Sequence, residues 1–470
     1  MRRYRIFVFA PLLISGCSAG PNYHPQSAAS LGIPSHWSAS AEPGAEDLAL
    51  WWNKFEDPQL ARYVDRALNA NLDIVQAAAR LRQARAALVQ ARAGYAPSIG
   101  ATAGTREGYD FGDNVIGSRS TTSYSADVDA SWSMDLFGGT SRAVEASRAE
   151  LEAAGYDLAS VRTAIAAEVA LNYIDARSAQ ASLAIARDTL ATQDDNLQIA
   201  QWRRQAGLVS SLDVEQARTQ RAQTAATIPT LETSFASAAN RIAVLMGDAP
   251  GTITADLASN ATIPQGPDGI AAGIPADTLR QRPDVRAAER TLAAATARIG
   301  VAKARLYPSL AINGNIGASA LSVGGLADAI TGSLFGSLSQ LLFDGGATAA
   351  AVRSQEAGAD AAFAAYRQTV LTALEDVENA LVSFKATNER REQLVIALDA
   401  AETTALLARS QYQSGLTDFR TVLDAERSLL SARDGLSSIQ AAHAQALVRL
   451  YLALGGGWDP LAPLPDGTDQ

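Results

Sequence analysis

The chain has 470 residues, 47% of them apolar and 19% charged, with about one alanine in every five positions. That is too apolar for a disordered chain and too broken by charge for a bundle of membrane-spanning helices. A net charge of −10 argues against nucleic acid as a partner, and one cysteine with three histidines supplies neither an internal disulfide nor a metal ligand set.

The chain opens with a basic stretch, Arg2, Arg3 and Arg5, followed by an apolar run from Ile6 to Ile14. A bilayer needs about twenty apolar residues, so this shorter run reads as a secretory signal peptide over residues 1–16. It ends in Ile14-Ser15-Gly16-Cys17, the pattern of a bacterial lipobox. Cys17 is therefore expected to carry an acyl anchor such as palmitate and to become the mature N-terminus. Ser18 follows, where an Asp would mark retention at the inner membrane. One acyl chain holds weakly, so a second membrane element is expected.

Beyond the leader the chain is an internal repeat. Asn71-Leu72-Asp73-Ile74 opens an Ala/Arg/Gln-rich stretch ending at Tyr95-Ala96-Pro97, and Arg282-Pro283-Asp284-Val285 opens another ending at Tyr307-Pro308. Asp73 to Asp284 and Pro97 to Pro308 are both 211 apart. Phe137-Gly138-Gly139 answers Phe343-Asp344-Gly345-Gly346, and Gly207-Leu208 answers Gly415-Leu416 at an offset of 208. Two copies are too few for a solenoid, so another closure is needed.

After each proline come two stretches with period two. From Thr121 to Leu136, Tyr124, Ala126, Val128, Ala130, Trp132 and Met134 share one face, while Asp127, Asp129 and Asp135 share the other with serines. Strands are predicted near 98–111, 121–136, 309–320 and 333–343, paired as hairpins through Gly-rich turns. Each Gly-Gly then opens a very long helix, over 140–206 and 347–414, which at 1.5 Å per residue spans roughly 100 Å. Shorter helices, 212–245 and 419–454, follow each Gly-Leu turn, and Pro229 is expected to kink the first. Apolar residues three or four apart, with alanine between them, call for lateral helix partners in a coiled-coil-like packing.

These pieces constrain one another. Strands with one apolar and one polar face suit a transmembrane β-barrel with an aqueous lumen, which Asp127, Asp129 and Asp135 would line. Four strands cannot close a barrel and an open edge does not survive in lipid, so several chains must contribute: eight strands for a dimer, twelve for a trimer. The helices would continue the barrel as a hollow periplasmic cylinder. No nucleophile–base pair or metal constellation is present, so neither an enzyme nor a cofactor is expected.

The motifs carry a resemblance. Gly20-Pro21-Asn22-Tyr23 after the lipobox, Trp51-Trp52, Arg282-Pro283-Asp284-Val285-Arg286, Gln340-Leu342-Phe343-Asp344-Gly345-Gly346 and Leu423-Asp424-Ala425-Glu426-Arg427 occur in order. Together they resemble NodT-type outer-membrane lipoproteins of the OprM/TolC outer-membrane factor family. The resemblance implies an α+β membrane protein, a homotrimer with a twelve-stranded barrel and a long α-helical periplasmic barrel. Its divisions would be a lipid-anchored segment and belt at 17–60, a first repeat at 61–247, an inter-repeat belt segment at 248–282, a second repeat at 283–455 and a tail at 456–470.

Functionally, the resemblance implies the passive outer-membrane channel of a tripartite efflux pump for small molecules. Its partners would be outer-membrane lipid, a periplasmic adaptor protein and an inner-membrane, proton-driven transporter. The adaptor would dock on the turns Gly207-Leu208-Val209-Ser210 and Gly415-Leu416-Thr417. A periplasmic gate carries over to Asp424, with Tyr412 and Asp213 as interhelical tethers. The family's leucine one turn before the gate aspartate is Arg420 here, so an Arg420–Asp424 pair is expected in place of an apolar plug. Alternative readings are a type I protein-secretion duct and a lipid-anchored coiled-coil scaffold without a pore.

Overall fold

The structure, a computed structural model, describes residues 18–38, 48–110, 119–259, 262–267, 269 and 273–459. The signal peptide, Cys17 and most of the C-terminal tail lie outside the described residues. Helices run over Ala28–Leu31 (α1), Pro58–Ala70 (α2), Leu72–Ala93 (α3), Gly139–Gln205 (α4), Ser211–Leu245 (α5), Thr254–Leu257 (α6), Pro275–Gln281 (α7), Pro283–Ala304 (α8), Ala347–Gln413 (α9) and Phe419–Ala453 (α10). Strands run over Ser98–Asp110 (β1), Arg119–Met134 (β2), Ser309–Ala320 (β3) and Ile330–Ser339 (β4).

The repeat is visible in element lengths. Helices α3 and α8 have 22 residues each, α4 and α9 have 67, and α5 and α10 have 35. Helix α5 is continuous through Pro229. Among the described residues, no helix is long and apolar enough to cross a membrane.

Contacts divide the chain into two compact units. One comprises Met1–Pro25, Arg80–Ala154 and Ala287–Tyr366, and it holds the sheet. Its strands form one antiparallel sheet in the order β1-β2-β3-β4. Ser98 pairs with Ser131, and Ser309 pairs with Ser339. Both ladders stop where Pro97 and Pro308, lacking an amide hydrogen, precede the strands. For this reason β4 stops at Ser339 rather than 343; it starts at Ile330 rather than 333, and β2 ends at Met134, opposite Leu310, rather than near 136. The Gln340 side chain instead donates to the Leu306 carbonyl at 3.1 Å.

The other unit comprises Gln26–Ala79, Gly155–Arg286 and Arg367–Gln470. A core in it surrounds Trp51, Trp52 and Phe55, all buried, with Trp51 stacked on Tyr451 at a 5.4 Å centroid distance. Such an aromatic pair contributes about 1 kcal/mol beyond the area it buries. Beside it lies Arg177, fully buried, whose guanidinium donates to the carbonyls of Leu257 (3.0 Å) and Ser259 (2.9 Å), to Gln180 and to Gln59. Tyr173 lies under the same guanidinium and donates to Asp57 Oδ2 at 2.7 Å. The buried cation thus joins residues 57–59, the middle of α4 and the segment after α6. Trp37 donates to the Gly273 carbonyl and Trp458 to that of Gln281, so the N-terminal, inter-repeat and C-terminal segments meet in this unit.

Candidate functional site: the sheet faces and the helix turns

The register joins like with like across all four strands. In β2, Ser125, Asp127, Asp129 and Ser131 sit opposite Gly104, Thr102, Gly100 and Ser98 of β1, and opposite Ser319, Gly317, Asn315 and Asn313 of β3. The same face continues into β4 through Thr331, Ser333 and Ser337, with Phe335 as an exception. Asn315 donates to Asp129 Oδ1 at 2.9 Å. The Asp127 carboxylate occupies the space over Gly317, where a Cβ would come within 1.9 Å of its oxygen, so the carboxylate lies in the room that glycine leaves.

On the opposite face lie Ile99, Ala101 and Ala103, then Val128, Ala130 and Trp132, then Ile312 and Ile316, then Ile330, Leu334 and Leu338. Several are widely exposed, Leu334 to 79% and Ile99 to 73%. A sheet with an exposed apolar face and a largely polar opposite face is built to separate lipid from water. Among the described strands, β1 and β4 each have one unpaired edge.

Asp135 was expected on the polar face and lies elsewhere. It follows the end of β2, and its carboxylate accepts from the Thr140 amide (3.0 Å), the Ser141 amide (2.7 Å) and the Ser141 hydroxyl (2.6 Å). It therefore caps α4, satisfying amides that a helix start leaves free. Partial burial pushes this carboxyl up, but the Ser141 hydroxyl and the helix amides outweigh that and hold it below the ordinary aspartate value.

Cys17 lies outside the described residues, but the chain after it is tightly held. Ala19 donates its amide to the Phe137 carbonyl at 3.0 Å. Arg142, 4% exposed, donates to the carbonyls of Ala19 (3.1 Å) and Gly20 (3.4 Å) and to Asn22 Oδ1 (2.6 Å). The strap approaches α8 so closely that a Cβ on Gly300 would meet the Ala19 oxygen and the Arg142 Cγ, each at 2.7 Å. Tyr23 then donates to Glu289 at 2.9 Å. The Gly20–Tyr23 motif thus serves to seat the segment.

At the far ends of α4 and α9 the turns are alike. Gly207 (φ 75°) and Gly415 (φ 74°) are left-handed, as a helix stop of this kind requires. The Leu208 amide donates to the Arg203 carbonyl and the Leu416 amide to that of Gln411, both at 2.8 Å. This closure leaves Leu208 71% and Leu416 78% exposed, with Val209 and Thr417 half-buried beside them.

The four residues expected at a gate all lie near these turns, and not all of them meet. Asp213 is engaged locally: its Oδ2 accepts from the Ser210 amide and hydroxyl, both at 3.0 Å, in a reciprocal capping box. The Tyr412 hydroxyl is buried without a hydrogen-bond partner, and its ring packs on Phe419 and under the Arg203 guanidinium at 4.3 Å. Among the described residues there is no Asp213–Tyr412 hydrogen bond. Arg420 does reach Asp424, at 3.8 Å, and Arg427 lies closer, at 3.3 Å. Sequence reasoning missed Arg427, although its i,i+3 spacing pointed to it. It also missed Glu426, buried two residues beyond Asp424 and bonded to Arg409 and Asn196.

These features converge on a channel of the outer membrane. The chain belongs to the family described as Outer membrane efflux protein, which matches residues 63–248 and 274–456, one match on each repeat. It is similar to Nodulation protein T of Rhizobium leguminosarum bv. trifolii, at 32% identity over 97% of each chain. The Pyoverdine export outer membrane protein OpmQ of Pseudomonas putida is 31% identical, covering 92% of this chain and 93% of its own. Among solved structures, the outer-membrane channel OprN superposes with a TM-score of 0.86 at 35% identity, over 94% of this chain and 100% of that one. The open MtrE outer membrane channel of Neisseria gonorrhoeae gives 0.83 at 25% identity, over 94% and 99%. The protein is an outer-membrane efflux channel and not an enzyme.

Proposed function

We propose that three copies of this chain form one twelve-stranded barrel, anchored through Cys17 and open to the outside at rest only on its barrel side. The observation that carries this reading is the four-stranded sheet with matched faces and two unpaired edges. Closing those edges on neighbouring copies removes the bare backbone groups that lipid does not tolerate. Asp127 and Asp129 then line the lumen.

The conduit is passive. Its energy comes from an inner-membrane transporter, proton-driven, reached through a periplasmic adaptor that packs against Leu208, Val209, Leu416 and the adjoining turn residues. Substrates are small molecules selected by the transporter, because a wide polar lumen discriminates little. At rest the three Asp424 side chains gather near the axis. Arg420 and Arg427 on the same helix relieve the repulsion between those carboxylates, which lets the constriction stay narrow.

The test uses a host stripped of its own outer-membrane efflux channels and supplied with the adaptor and transporter. The chain should lower steady-state accumulation of a fluorescent efflux dye. Leu208→Asp with Leu416→Asp should abolish that effect while leaving the trimer in the outer membrane. Dye levels unaffected by the wild-type chain would contradict the reading.

A further inference from the structure

We propose that Glu426 is a positioning residue of the gate, its buried carboxylate fixing the rotation of α10 that aims Asp424; this rests on the reading of Asp424 as the constriction. The geometry is a three-helix junction. Glu426 on α10 is 4% exposed, and its Oε1 accepts from Arg409 Nε of α9 at 2.9 Å. Its Oε2 accepts from Asn196 Nδ2 of α4 at 2.6 Å. Asp424 and Glu426 are two residues apart, about 200° around the helix, so one faces out when the other faces in. Asp424 is accordingly 56% exposed at its side chain.

The apolar seat of α10 does not fix that rotation by itself. Phe419 and Leu423 pack on Ala200, Val214 and Ala217, while Val422 and Ala425 pack on Ala405 and Ala408. Apolar contacts of this kind are less directional than hydrogen bonds, so they hold the helix close and constrain its angle only loosely. Two hydrogen bonds to one carboxylate from two different helices do define it.

The first repeat supplies an internal comparison. At the 208-residue offset Glu426 corresponds to Arg218, which is exposed and only loosely paired with Glu215 at 3.7 Å. Asp424 corresponds to Gln216. The buried carboxylate therefore occurs on the helix that carries the gate carboxylate, and its counterpart in the repeat has neither. An ion pair of this kind is a poor source of net stability, since apolar residues of similar volume in place of both partners commonly do as well. What it supplies here is orientation.

The experiment compares Glu426→Met and Glu426→Gln with wild type in two readouts, thermal stability of the assembled protein and closed-state leak in planar bilayers. Glu426→Met should leak roughly tenfold more and melt below wild type, because it leaves Arg409 and Asn196 without their acceptor. Glu426→Gln, which keeps an acceptor for Asn196, should leak less than the methionine variant and more than wild type. Arg409→Met should add little in the Glu426→Met background, because both remove one link. Wild-type leak in both variants, beside an open Asp213→Ala/Asp424→Ala channel, would overturn the positioning role and leave the gate reading intact. Should Glu426→Met fail to assemble, wild-type leak in Glu426→Gln alone overturns it. Silence of the aspartate double variant as well would mean that the conduit reading itself has failed.

Discussion

Ser210 and Asp213 cap each other: the serine hydroxyl accepts from the Asp213 amide at 3.4 Å while the aspartate accepts from the Ser210 amide at 3.0 Å. In the second repeat the chemistry is exchanged. Asp418 is the cap, and it accepts from the Thr421 amide at 2.9 Å and the Thr421 hydroxyl at 2.7 Å. Each turn is therefore closed by one hydroxyl and one carboxylate, in opposite order.

Ser210→Ala should cost about 1 kcal/mol at the start of α5. Amides 211–213 should then exchange hydrogen about fivefold faster, while those of the matching turn at 419–421 remain unchanged. Hydrogen-exchange mass spectrometry reads both turns in one experiment.

The α10 turn should loosen in acid. The Thr421 hydroxyl, together with its amide, holds the Asp418 carboxyl below the ordinary aspartate value. A folded value below the unfolded one means that the cap stabilises fully above the unfolded pKa and is lost as pH falls through the folded one. Pepsin cleavage around Leu416–Phe419, normalised to an unfolded reference, should rise as pH drops below about 4. Asp418→Asn should flatten that pH response, and an equally steep response in the variant would exclude Asp418 as its source.

Gly300→Ala should expel the N-terminal strap, since no shift of a flexible side-chain end makes room for a methyl facing the Ala19 carbonyl. Overpacking of this kind costs about 1–3 kcal/mol. In a Cys17→Ser background, a cysteine at Ala19 should resist maleimide and become reactive once Gly300→Ala is added.

Cys17→Ser should abolish metabolic labelling by a radioactive fatty acid while the trimer still assembles. Labelling that persists in the variant would remove Cys17 as the anchor.

Much of this architecture was legible in the sequence because its periods are long and regular. The alternation from Tyr124 to Met134 and the uninterrupted runs between prolines gave strands and helices to within a few residues. The strand ends were harder to read because they depend on the partner: Pro97 and Pro308 end the ladders from across the sheet. Asp135 continued the alternation by type but not by structure, since the amides of α4 compete for its carboxylate. Asp424 and Arg420 share one helix and could be paired by spacing. Glu426 could not be matched to Arg409 and Asn196 by helix spacing, because Arg409 lies across the turn on α9 and Asn196 on α4, 230 residues away.

The central claim is a gated pore, and single-channel conductance of the Asp213→Ala/Asp424→Ala protein in a planar bilayer tests it most directly. Discrete cation-preferring steps, larger than any wild-type signal, are predicted, because the variant removes both the Asp424 carboxylate and the Asp213 half of the capping box. An inserted protein that shows no steps at all would contradict the account.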